Sequence, residues 1–125
     1  MNYRLHTDAV KKRLIPPTLS ARDSGFVYAS EADVINKAVF GKTAKEWRTA
    51  NPDQTGNIRE HASGEQLLVL ANIESYNSIL IEQGMSQQNR LLELNNQART
   101  QFKALTNVPA VKTLKPPPLL KSKKE

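Results

Sequence analysis

The chain contains no cysteine. That excludes disulfides, thiolate metal sites and cysteine nucleophiles, and it leaves the compartment open. Histidine is scarce as well. His6 and His61 are the only two, and neither has a second ligand at helical spacing. A metal centre needs three or four ligands, so neither a metal site nor a cofactor is expected. Aromatic residues make up 6% of the chain, and none interleaves with the C-terminal lysine run. This argues against a stacking platform for single-stranded nucleic acid. No apolar run approaches the roughly 18 residues of a membrane span. The opening MNYRLHTDAVKKRLIPP lacks the apolar region of a signal peptide. No membrane partner is expected, and the cytoplasm is the expected location.

The signatures of catalysis are missing too. No serine sits between glycines in a nucleophile elbow. Gly41-Lys42-Thr43 resembles the end of a phosphate loop, but it lacks the earlier glycine and a preceding strand. It reads better as the end of one helix and the cap of the next. Asp53 and Glu60 form a pair of acids in a loop, where carboxylates are usually only solvated. A non-enzyme is the expectation.

At 125 residues the chain fits one domain. Its net charge of +6 is unevenly placed: residues 1–22 carry +4, residues 23–107 carry −2 and residues 108–125 carry +4. The basic ends suit nucleic acid, which gains affinity by counterion release. Lys11, Lys12, Arg13, Lys121, Lys123 and Lys124 are the candidate contacts. The alternative is that lysine-rich ends only keep a small protein in solution.

The longest apolar-rich stretch is residues 63–84, SGEQLLVLANIESYNSILIEQG. Ser63 and Gln66 form a capping box at its start, and Gly84 suits a left-handed end. Val69, Ile73, Tyr76 and Leu80 follow one helical face, and further leucines and isoleucines widen it. Such a helix should be buried on more than one side. Asn72, Glu74 and Asn77 interrupt the apolar surface and need partners if buried. After a short turn, Leu91, Leu94, Ala98, Phe102 and Leu105 line a helix over residues 87–105, in a heptad-like seam left free to pair. The two helices should form an antiparallel hairpin.

Upstream, residues 1–24 read as a flexible basic arm, with at most a short helix over 8–14 before Pro16-Pro17. Residues 25–29 suit an extended segment. Residues 31–40 form a helix ended by Gly41, and Thr43 with Glu46 opens a short helix anchored by Trp47. Residues 51–62 are turn chemistry and hold the densest polar cluster. There Arg59, just ahead of a helix N-terminus, is a candidate anion or partner contact together with Lys42. The plainer reading pairs Arg59 with Glu60 or Glu31. Residues 108–125 read as a disordered or polyproline tail, rich in proline and lysine, in which TLKPPPLL could present a polyproline stretch to a partner or serve only to solubilise the chain. The expected fold is all-α: two short helices on a helical hairpin within residues 25–107. Its core is Trp47, Val69, Ile73, Tyr76, Leu80, Leu91, Leu94 and Phe102.

Three stretches resemble a known pattern: YASEADVINKAVFGKTAKEWR with the NP after it, GNIREHASGEQLLVLANIESYNSILIEQG, and SQQNRLLELN. Residues 28–105 are similar to the C-terminal region that follows the KilA-N domain in bacterial and phage proteins. GKTAKEW is also similar to GKTAAEL-like words of RhuM-like proteins from mobile elements. The resemblance implies an accessory module. The KilA-N domain is the part thought to bind DNA, and only 27 residues precede Tyr28. No catalytic residues carry over.

Three functions follow as expectations. The first is a non-catalytic interaction or regulatory module of phage or mobile-element origin, binding a protein partner or itself through the hairpin, with DNA association as an option. The second is a nonspecific nucleic-acid binder acting through the basic ends. The third is a small toxin-like protein acting through residues 53–61.

Overall fold

In the computed structural model, residues 2–106 and 117–120 are described, with side chains from His6 onward. Five helices run in chain order: α1 Asn2–Leu14, α2 Ala21–Phe40, α3 Ala44–Ala50, α4 Gly64–Glu82 and α5 Gln87–Thr106. Among the described residues there is no strand, and no helix is long and apolar enough to cross a membrane. The all-helical class agrees with the sequence.

Helix α4 holds the middle, touching α1, α2 and α5. Its two ends form as expected. Ser63 and Gln66 complete the capping box in both directions. At the other end, Gly84 N–H donates to Ile81 O and Met85 N–H to Leu80 O, a Schellman closure that requires the positive φ of Gly84 (78°). The short turn then folds α5 back on α4. The main core takes Val34, Ile35, Ala38 and Val39 from α2. Helix α4 adds Val69, Leu70, Ile73 and Leu80, and α5 adds Leu94, Ala98 and Phe102. Tyr76 and Leu91 pack on it partly buried.

Five expectations need correction. The segment over residues 25–29 is helical, because α2 starts earlier, at Ser20, whose hydroxyl accepts from Asp23 N–H (3.1 Å). Gly25 faces open space and is tolerated within the helix. The N-terminal arm contains α1, which packs on α4. Ala9, Val10 and Ile81 form a second small core there, flanked by Leu14, Ile15, Val27 and Tyr28. Among the described side chains of α1, Ala9 and Val10 are the buried apolar ones, and α4 adds Ile81 to them.

Trp47 is not a core residue, since α3 buries nothing completely. Its ring centroid lies 5.1 Å from that of His61, and the Arg48 guanidinium sits over the Trp47 ring, 5.1 Å from its centroid. A two-turn helix can present Trp47 to the loop without reaching the bundle. The seam of α5 is not free, because Leu94, Ala98 and Phe102 are spent inside the core. Residues 117–120 of the expected tail are ordered against α2 and α5, where Asn95 and Arg99 bond their backbone.

Candidate functional site

Helices α1, α2, α4 and α5 each carry a ridge of side chains four residues apart, and each ridge places one polar residue beside its apolar ones. The ridges are His6–Val10, Glu31–Ile35–Val39, Val69–Ile73–Asn77–Ile81 and Arg90–Leu94–Ala98–Phe102. Residues at this spacing share a helix face. Where the helices converge, His6, Glu31, Asn77 and Arg90 therefore meet inside the protein, all buried.

Arg90 holds the centre. Its two terminal nitrogens donate to the two Glu31 oxygens, at 2.5 and 2.9 Å. The first also donates to Asn77 Oδ1 (3.0 Å), and Arg90 Nε donates to Met85 O (3.1 Å). The bidentate fork is the geometry in which a buried guanidinium matches a carboxylate best. Gln87 Nε2 adds a bond to Glu31 Oε2 (2.8 Å). Because Asn77 Oδ1 accepts from Arg90, its Nδ2 must be the donor towards His6 Nε2 (2.7 Å) and Glu31 Oε1 (3.4 Å). His6 then accepts at Nε2 and is neutral, with its proton on Nδ1.

Burial pushes the His6 pKa down, and the charges of Arg90 and Arg59 push the same way. Glu31 only partly opposes them, so His6 sits below its ordinary value. Burial pushes the Glu31 carboxyl up. The hydrogen bonds from Arg90 and Gln87, with the Arg90 charge, outweigh it and leave Glu31 below its ordinary value. Beside the cluster lies a small cavity of about 110 Å³ lined by His6, Tyr28, Glu31, Arg59 and Glu74 among others.

The residues singled out from sequence fall elsewhere. Arg59 bonds to Glu74 (3.3 Å), not to Glu60 or Glu31. Its loop is built internally: Asn57 Oδ1 accepts from Arg59 and Glu60 N–H, and His61 Nε2 lies 2.6 Å from Thr55 O. Lys42 borders a separate hollow of about 180 Å³ with Phe40, Trp47, Ile58, His61 and Gln66. Lys12 and Arg13 both approach Glu82, at 4.0 and 3.0 Å, while Lys11 is exposed. Lys121, Lys123 and Lys124 lie outside the described residues. Among the described residues, no group of three or more His, Cys, Asp or Glu could hold a metal.

Sequence reasoning missed His6, Glu31, Gln87 and Arg90. It found only Asn77, as a polar break needing a partner. The signal was present in the ridges: Glu31 stands four residues before Ile35, and Arg90 four before Leu94. An ion continuing an apolar row is a candidate for burial. The other two breaks in α4 face other neighbours, Asn72 donating to Gln101 Oε1 and Glu74 accepting from Arg59.

Chemically, the cluster ties α1, α2, α4 and α5 together through paired, opposite charges. No family model, no curated protein and no solved structure matches this chain.

Proposed function

We propose that the chain is a non-catalytic helical interaction module, of the kind that follows the KilA-N domain in phage and mobile-element proteins, working in the cytoplasm by self-association through the outer face of α4. The observation that carries this reading is the exposure of Leu67 (42%), Leu68 (53%) and Ile79 (52%) on the helix that otherwise forms the core. Leu68, Ser75 and Ile79 stand at i, i+7 and i+11, the spacing of a seam that pairs with another helix. From Leu67 to Ile79 the only charged residue is Glu74, which is buried and bonded to Arg59. Two copies can therefore bring these strips together without opposing like charges, despite the net charge of the whole chain. The buried cluster serves this function indirectly, by fixing the rotation of α4 so that the strip faces outward.

Light scattering after size exclusion tests it. The wild type is expected to gain mass with concentration, and Leu68→Glu with Ile79→Glu is expected to stay monomeric. A wild type that remains monomeric at the highest concentration overturns self-association.

Direct nucleic-acid binding has less support, because Lys12 and Arg13 already face Glu82. A toxin-like loop has less still, because Arg59 and His61 are engaged in holding the loop itself.

A further inference from the structure

Asn95 on α5 is fully buried (0% exposed), and its amide contacts a piece of backbone outside the helical bundle. Nδ2 donates to Pro118 O (3.0 Å) and to Ala38 O of α2 (3.3 Å), and Oδ1 accepts from Leu120 N–H (2.9 Å). In an extended chain, the carbonyl of one residue and the N–H two residues on point the same way. They are the pair that a neighbouring strand would satisfy. One side chain here takes the place of that strand.

One turn further along α5, the Arg99 guanidinium donates to Pro117 O. On the facing side, Gly41 gives Pro118 its seat: a Cβ there would stand 2.7 Å from Pro118 Cδ. Gly41 also needs its positive φ (79°) to end α2, so a single glycine serves both the cap and the groove. Pro117 is buried, while the Leu119 side chain is 57% exposed and outside the recognition.

The sequence of the occupant fits this chemistry. Pro117 and Pro118 have no N–H, so seating them leaves no backbone donor unpaired, and their fixed φ favours an extended chain. Leu120 lies beyond the prolines, and its N–H is the one Asn95 takes. Recognition is by main chain and proline rings, as in other proline-rich peptide sites.

We propose that the groove formed by Gly41, Asn95 and Arg99 is a binding site for an extended Pro-Pro-Leu-Leu segment, occupied in cis by residues 117–120 and able to take the same segment from a second copy of the chain. The site lies on α2 and α5, apart from the outer strip of α4, and stands independently of the self-association proposed for that strip. Ten residues separate Thr106 from Pro117. The cis segment belongs to the same chain as the groove, so it meets the site at any dilution and shields it from dilute competitors.

The test uses the full chain labelled with 15N, reading the Gly41 amide and the Asn95 side-chain amide. Leu120→Pro removes the N–H that Asn95 accepts and is expected to shift both signals. Leu119→Ala, at an exposed side chain, is expected to leave them in place. A synthetic peptide of residues 114–122 added to the Leu120→Pro chain is expected to return both signals saturably towards their wild-type positions. The same peptide with proline at the position of Leu120 is expected to bind at least about tenfold more weakly, the scale of leaving one buried acceptor unpaired. Identical spectra for the wild type and Leu120→Pro would overturn the cis contact. A peptide that produces no saturable shift, or whose proline form binds equally well, would overturn the site.

Discussion

Arg90 and Glu31 are the residues on which the interior depends most, and their value is conditional. Two opposite charges removed from water attract strongly only because each is matched by the other, and the desolvation of either one alone is uncompensated. Arg90→Met is therefore expected to destabilise the fold by about 3–5 kcal/mol, a large share of the roughly 5–15 kcal/mol that holds a domain of ordinary stability. Adding Glu31→Leu to Arg90→Met removes the orphaned carboxylate and is expected to recover most of that loss. Urea unfolding of the two variants measures both quantities, and an additive loss in the double variant would contradict the pairing. The pair was only half legible in the sequence. An arginine and a glutamate 59 positions apart carry no mark of being partners, and each looks like a surface residue of an amphipathic helix. What does mark them is their position on an apolar row. That cue requires knowing which row faces inward, and Phe102, Leu94 and Ile35 supplied it.

At the scale of elements, the helices differ in how much of their stability is written locally. Helices α3 and α4 have capping boxes in the sequence, with Asn51-Pro52 ending the first and Gly84 the second, and both start where those signals place them. The first half of α2 and all of α1 depend on contacts made far along the chain. Their apolar residues are few, and Gly25, Pro16 and Pro17 argue locally against long helices. Helix α1 is consequently the most conditional element, and His6 makes that condition depend on pH. The groups facing His6 are Glu31 from α2, Arg90 from α5, and Arg59 with Glu74 beside the cavity. Burial and the two arginines hold its folded pKa below the unfolded value of about 6.5. Its contribution is thus complete above about pH 6.5 and is lost as the pH falls through the folded value. Protonation also turns the acceptor Nε2 into a donor facing the Asn77 amide. Glu31, likewise depressed, loses its contribution only below its own ordinary range, at more acid pH. Hydrogen exchange, corrected for intrinsic rates, is expected to show α1 losing protection between pH 7 and 5 while α4 and α5 keep theirs. In His6→Gln that pH step is expected to vanish. Parallel loss in all three helices would show that α1 does not open separately.

For the whole molecule, the uneven charge noted in the sequence is partly cancelled by the fold. Lys12 and Arg13 end α1 beside Glu82 at the end of α4, so one basic end has an acidic partner built against it. Exposed pairs of this kind are weak and screened by salt, yet they compete with phosphate for the same cations. Glu82→Gln is expected to increase retention on duplex DNA at about 50 mM salt relative to the wild type. Equal retention would show that this corner of α1 does not meet DNA. Composition alone revealed the excess of positive charge, but not that α1 would deliver part of it to an acid 69 residues away.

The attachments of the two ends have a mechanical meaning. Helix α1 lies on α4, whereas residues 117–120 lie on α2 and α5. A load applied between the two ends therefore meets two separate seams, each closed by a few hydrogen bonds. Helix α2 touches both, packing on α1 and seating Pro118 at Gly41, so tension passes between the seams through α2 as well as through the hairpin of α4 and α5. Under such a load the molecule should yield first at its edges, and the hairpin should be the last piece to extend.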